Sequence, residues 1–291
     1  MNKQPIACPN PSCENHLPRS ADFFRKRGYY TPKHLGHKLA RYQCKTCGKT
    51  FSNQTFSDDF RQHRQDINHM LPRLLCSGVT MRRAAWILEC SYNTVCSRLP
   101  WLAEKARAAH EAALDSGAMK TSYIQFDEMQ SFEHAAAKAL TIALAVRAKT
   151  GQILSAKVGR IPSNGHLADT GQTLYGWTRN ESPKACLLAL RQASRVAKPK
   201  VTVGCDKATP YPSYVAKAFS KRLAPVVDAQ AARGGAGGDF DPLFKLNHKC
   251  AVIRSDLACM ARRTWATTKK RARLQDRLDL FIAVHNGYAF T

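Results

Sequence analysis

Two short cysteine pairs constrain the first fifty or so residues more tightly than any hydrophobic pattern does. Cys8-Pro-Asn-Pro-Ser-Cys13 and Cys44-Lys-Thr-Cys47 each bring two thiols to one turn, and Gly48 follows the second pair. Four thiolates on two turns match the tetrahedral preference of zinc, so Cys8, Cys13, Cys44 and Cys47 are the expected ligands of a structural Zn2+. Gly48 can take the positive φ that turns backbone amides toward the sulfurs. Residues 41–44 read as the strand entering the turn and residues 49–51 as the strand leaving it, a zinc-ribbon pattern. His16 is an alternative to Cys13, and four unligated cysteines beside two turns is the plainer alternative to a metal. A bound metal also explains how so polar a segment holds a shape without much core.

Charge constrains the partner. Forty-five Lys and Arg against 21 Asp and Glu give the 291-residue chain a formal charge of +24, spread along its length. Such a surplus points to a polyanion, and double-stranded DNA is the expected partner. A hydrophobic fraction of 44% excludes a disordered chain. Residues 1–14 hold no apolar run, so no secretory signal is expected. The most apolar stretch, 135–148, contains Lys138 and Arg147 and is too short for a bilayer, so no membrane partner is expected. Eleven cysteines without a signal peptide suit a reducing, cytoplasmic compartment, with the thiols not on metal serving as small core residues.

The chain is expected to be multidomain: a zinc ribbon over 1–55, an all-α helix-turn-helix domain over 56–118, and an α/β domain over 119–291. Residues 60–75 read as one helix ended by Ser77-Gly78. Thr80 then caps a helix through residue 88, residues 89–91 break it, and a further helix starts at Tyr92 and extends toward residue 113. A short helix, a turn and a second helix form the helix-turn-helix arrangement, whose second helix would offer Asn93, Thr94, Ser97 and Arg98 to a DNA groove. An ordinary helical hairpin is the alternative.

Beyond residue 119, strands are expected at 122–128, 139–146, 153–158, 200–206 and 223–227, with a hairpin turn at 149–152. Helices are expected at 182–196, 210–219, 244–263 and 267–286, with a loop at the glycine-rich 233–238. Two of the strands end in a carboxylate, Asp127 and Asp206. Hard oxygen ligands converging at a sheet suit Mg2+ or Mn2+ and phosphoryl transfer, although aspartate also starts turns.

From the zinc ribbon to the C-terminus the chain resembles transposases of the insertion-sequence-one type, in which a zinc ribbon and a helix-turn-helix precede an RNase-H-like DDE nuclease domain. The resemblance is carried by residues 40–51 and 78–99, by Phe126-Asp127-Glu128, by Cys205-Asp206-Lys207, and by residues 253–258 with Ala261-Arg262-Arg263-Thr264-Trp265. It implies that Asp127 and Asp206 are metal ligands and that the reaction is DNA strand cleavage and transfer. It also implies action on element terminal repeats and target DNA, as an oligomer, at a bacterial nucleoid.

The family's third acidic position falls on Asn247, whose carbonyl can bind a metal but brings no charge. Asn247 as a helix cap is the alternative, with Asp241 the reserve ligand. The glycine-rich loop looks inserted relative to the family. Arg254, seven residues on, shares a helix face with Asn247, whereas Asp256 faces away. Arg254, Arg262, Arg263, Lys269 and Lys270 are further candidate DNA contacts, with a solvated helix face as the alternative for the lysines. Glu128 and Glu133 read as solvated, with assistance to Asp127 as the alternative, and Trp86, Trp101, Trp177 and Trp265 read as packing residues, with base-stacking platforms as the alternative. Three readings stand at this level: a DDE-type transposase with Asn in third place, a catalytically inactive DNA-binding relative, and a zinc-ribbon nuclease of RNA or other DNA structures.

Overall fold

The computed structural model describes residues 7–17, 22–32, 36–219, 223–230, 241–261 and 265–290. The chain forms two compact units, residues 1–68 and 69–291.

In the first unit, β1 (Phe24–Tyr30), β2 (Leu39–Cys44) and β3 (Thr50–Phe51) form an antiparallel sheet in that order. Its small core is Cys8, Cys13 and Cys44 plus Phe23, Ala40, Tyr42 and Phe51, with Cys47 exposed at its edge. The helix expected over 60–75 is absent. Arg61 and Arg64 have positive φ, residues Gln65–Asn68 make one 3-10 turn, and α1 spans only Leu71–Leu75. Pro72 explains the late start, because a residue without an N–H fits only the first turn of a helix.

The second unit continues with α2 (Met81–Ile87) and α3 (Tyr92–Asp115), capped by Thr80 and Ser91, whose hydroxyls accept from the amides of Arg83 and Thr94. Its sheet comprises β4 (Thr121–Phe132), β5 (Ala139–Arg147), β6 (Ile153–Arg160), β7 (Ala197–Asp206) and β8 (Ala224–Gln230), with α4 (Ala168–Tyr175), α5 (Ser182–Ser194) and α6 (Tyr211–Ala218) in the connections. Two further helices follow, α7 (Phe244–Asp256) and α8 (Arg271–His285). The strand order is β6-β5-β4-β7-β8. The first three strands pair antiparallel, and β4, β7 and β8 pair parallel. This mixed sheet is consistent with the RNase-H-like expectation.

One face of the sheet, through Ile124, Phe126, Val203 and Cys205, packs on α5 and α6 and forms the main core. α7 lies on the opposite face, fastened by Gln125. The buried amide of Gln125 donates to the carbonyl of Pro242 (2.8 Å) and accepts from the backbone N–H of Leu246 (3.0 Å). α8 covers the β6 edge: Asn286 pairs with both backbone groups of Ile153, and Gln275 bonds Val158 and Ala156. Side-chain amides thereby satisfy an edge that would otherwise invite another strand.

The expected domain boundary at residue 118 does not separate compact units. α3 packs along α8, with Arg107 bonded to Asp279 (3.0 Å), and the His110 ring meets the carbonyl of Leu154 (2.9 Å). Both C-terminal helices are shorter than expected. α7 stops at Asp256, with Leu257 extended. α8 begins only at Arg271, because Glu133 caps it by accepting from the Arg271 amide (2.9 Å) while His134 takes the carbonyl of Thr268 (2.8 Å). The glycine-rich 233–238 segment lies outside the described residues.

Gln125→Leu should strand two buried backbone groups at the start of α7. At about 1–3 kcal/mol for each buried group left unpaired, the loss in stability is expected to be about 2–4 kcal/mol. Urea unfolding of the full chain measures it, and a loss under about 1 kcal/mol would show that α7 is held by other contacts.

Candidate functional site

The four cysteines converge. Their Sγ atoms all lie within 4.8 Å of one another, the one such group of His, Cys, Asp and Glu ligand atoms found among the described residues. Cys8 and Cys47 are 3.5 Å apart, and Cys13 and Cys44 are 3.8 Å apart. A tetrahedron with metal–sulfur bonds of about 2.3 Å has edges of about 3.8 Å, so the cluster fits a tetrahedral ion of zinc's size. Backbone amides of Asn10, Asn15 and Lys49, each two residues beyond a cysteine, point at the sulfurs of Cys8, Cys13 and Cys47. Gly48, at φ +69°, makes the last of these turns. The Lys49 amide draws the Cys47 thiol down to about 6, whereas burial pushes Cys8 up to about 12. Four thiolates this close repel one another unless a cation sits among them. His16 does not join the cluster, which consists of the four cysteines, and its Nδ1 lies 2.8 Å from the carbonyl of Cys8.

The second site lies on the α7 face of the large sheet. Gln125 of β4 pairs with Gly204 of β7, so the register two residues further on sets Asp127 level with Asp206. Residues two apart share a face of a strand. Burial, helped by the charges of Asp206 and Glu128 and opposed by the hydrogen bonds from the Glu128 amide and Tyr211, lifts the Asp127 carboxyl to about 6. Each aspartate has one oxygen already committed. Asp127 Oδ1 accepts from the Glu128 amide (2.7 Å) and the Tyr211 hydroxyl (3.1 Å). Asp206 Oδ1 accepts from the Ala208 amide (3.0 Å). In both residues Oδ2 is the oxygen left to act as a ligand.

Asn247 lies in the first turn of α7 and does not cap it. Asp241, just ahead of the helix, holds it from outside: its Oδ1 accepts from the Leu243 amide (3.0 Å), and its Oδ2 accepts from Asn247 Nδ2 (2.9 Å). The reserve ligand therefore holds the amide of Asn247, whose ligand-competent atom is then Oδ1. Cys250, one turn further along, feels both Asp127 and Arg254, and burial raises its thiol to about 11.

Several expected roles change. Arg98 is 5% exposed, so it is not offered to a groove; it shares the buried face of α3 with Val95, Leu99 and Leu102. That spacing was visible in the sequence. Asn93 and Ser97 are exposed, while the hydroxyl of half-buried Thr94 meets Ser91 Oγ at 2.9 Å. Glu128 is held by Thr141 (2.7 Å) and Tyr211 (3.3 Å), and Glu133 by Lys138 (3.2 Å) and Arg160 (3.5 Å), so neither is solvated. Trp86, Trp177 and Trp265 are 75%, 82% and 99% exposed and are not packing residues.

A basic aromatic surface on α2 and the start of α3 went unseen in the sequence, with Arg83 over Trp86 and Arg82 over Tyr92. Arg254 is half-buried, and Lys269 and Lys270 are exposed. Arg262 and Arg263 lie outside the described residues. Among the described residues no helix is long and apolar enough to cross a membrane.

No protein-family model matches the chain, and no curated protein matches it. Among solved structures, the crystal structure of the Mos1 strand transfer complex matches 77% of this chain and 79% of that chain, at 13% identity and a TM-score of 0.25. A likeness that loose carries no argument about fold or function.

Two outcomes test the geometry. Co2+ added to the metal-free protein should give the strong visible bands of tetrahedral thiolate coordination; Cys13→Ser should lose them and His16→Ala should keep them. At Asp127 the folded-state value lies above the usual carboxylate value. Stability is then full below the unfolded value and falls as pH rises toward about 6. Without added divalent cation, Asp127→Asn should therefore stabilise the second unit by about 2 kcal/mol at pH 7.5 and by almost nothing at pH 3.5, measured by urea unfolding.

Proposed function

We propose that this protein is a DNA transposase resembling the insertion-sequence-one type, which binds element ends and carries out metal-dependent strand cleavage and transfer. The observation that carries the reading is the pair of half-buried aspartates that each follow the last β4–β7 partners, Gln125 and Gly204, by two residues, each with one oxygen uncommitted among the described residues. The order and directions of the five strands support an RNase-H-like nuclease domain.

Asp127 Oδ2, Asp206 Oδ2 and Asn247 Oδ1 are the atoms that would hold a divalent cation such as Mg2+ or Mn2+. Bound there, such an ion supplies charge neutralisation at the scissile phosphate and activation of the attacking oxygen. Asp127 and Asp206 orient it, Asp241 fixes the amide of Asn247, and Arg254 meets a phosphate beside them. Cys8, Cys13, Cys44 and Cys47 would hold a structural Zn2+. Residues 78–99 act as a helix-turn-helix whose exposed Arg82, Arg83, Trp86, Tyr92, Asn93 and Ser97 meet DNA, with Lys269 and Lys270 and the undescribed Arg262 and Arg263 adding phosphate contacts. On this reading the protein works as an oligomer on DNA in a bacterial cytoplasm.

A nicking assay on supercoiled and oligonucleotide DNA carrying the element ends tests it. The wild type should cut in Mg2+ or Mn2+. Asp127→Asn and Asp206→Asn should bind the same DNA without detectable cutting. Asn247→Ala should slow cutting by about tenfold, the usual cost of losing a weaker ligand or its support. Cutting that persists in both aspartate variants rejects the assignment. Tight binding by a wild type that never cuts identifies an inactive DNA-binding relative.

A further inference from the structure

We propose that Tyr211 is a positioning residue for the Asp127–Asp206 pair, held in place by Glu128, and that it sets the affinity of the pair for a divalent cation. The inference rests on the metal reading of the two aspartates given above.

Neighbouring residues on a strand face opposite ways, so Asp127 and Glu128 project to the two sides of β4. The Tyr211 hydroxyl reaches both, at 3.1 Å from Asp127 Oδ1 and 3.3 Å from Glu128 Oε2. A hydroxyl carries one proton, so Tyr211 donates to one carboxylate at a time. Glu128 is itself fixed, since its Oε1 accepts from the Thr141 hydroxyl of β5 at 2.7 Å.

The same tyrosine is tied to the other aspartate. It is the first residue of α6, and its amide donates to the carbonyl of Ala208 (3.2 Å), whose own amide donates to Asp206 Oδ1 (3.0 Å). Thr141, Glu128, Tyr211, Asp127 and, through Ala208, Asp206 are therefore neighbours in one hydrogen-bonding network, in which the Tyr211 proton alternates between Glu128 and Asp127. The ring of Tyr211 is buried and stands edge-on to Phe126, with centroids 5.2 Å apart.

Divalent cations of the magnesium type demand oxygen ligands at well-defined positions. Outer hydrogen bonds that hold carboxylates in place account for a large share of metal affinity. Here the bonds fix Oδ1 of each aspartate and so fix the line along which Oδ2 is presented. Losing the Tyr211 hydroxyl would leave the ring packing intact and free the Asp127 carboxylate to rotate.

The test is Mn2+ binding to the zinc-loaded full chain, read from the free-ion electron paramagnetic resonance signal, with Asp127→Asn as the control that removes a ligand. Tyr211→Phe should weaken Mn2+ binding by about tenfold and raise by a similar factor the Mn2+ concentration giving half-maximal DNA nicking, with an unchanged circular dichroism spectrum. A purely structural role would lower the melting temperature and leave the Mn2+ affinity of the folded protein as it was, which would overturn the proposal. If Tyr211→Phe does not fold, Thr141→Val loosens Glu128 without touching the tyrosine; unchanged Mn2+ affinity there also overturns it. A wild type whose Mn2+ binding survives Asp127→Asn sinks the metal reading itself, and the role of Tyr211 with it. Wild-type binding lost in Asp127→Asn but kept in Tyr211→Phe sinks the role of Tyr211 alone.

Discussion

The parallel pairing of β4 with β7 is the constraint on which the large unit turns. It brings Asp127 near Asp206 at a half-buried position, where the loss of water and the neighbouring negative charge work against ionisation of Asp127. A fold does not gain stability from such an arrangement. It is tolerated because each aspartate is given hydrogen bonds at one oxygen, from the Glu128 amide and Tyr211 in one case and from the Ala208 amide in the other. Strain of this kind is what a cation would relieve, and sites built for a cation carry it in the cation's absence.

The cysteine cluster repeats the logic with softer atoms. Turns two residues long aim amides at the sulfurs, and four thiols are gathered at a spacing that could hold a metal. The two centres differ in what supports them. Around the cysteines the support is local backbone, so the motif is almost self-sufficient. Around the aspartates it comes from α6, α7 and β5, segments far apart in the chain, and it exists only when the sheet is assembled.

This difference explains how much was legible beforehand. The strands of the α/β unit and the hairpin at 149–152 could be read from alternation and turn residues. The cysteine ligands could be read from spacing. Helix boundaries failed where a remote residue decided them: Glu133, on the far side of a strand turn, determines where α8 begins. Arg98 was misplaced because its charge outweighed its position on the apolar stripe of α3. Trp86, Trp177 and Trp265 stand exposed while Trp101 is half-buried, a division that local spacing does not carry because large aromatic faces are also left exposed.

The sequence by itself determined the ligand types, the order of strands along the chain and the excess of positive charge, since these follow from local spacing and composition. Only the tertiary structure decided that Asp127 and Asp206 share a level, that Asp241 holds the amide of Asn247, and that Glu128 and Tyr211 stand behind the aspartates. Register between distant strands and the landing point of a helix are settled by packing across the whole unit, and no local stretch of sequence carries that information.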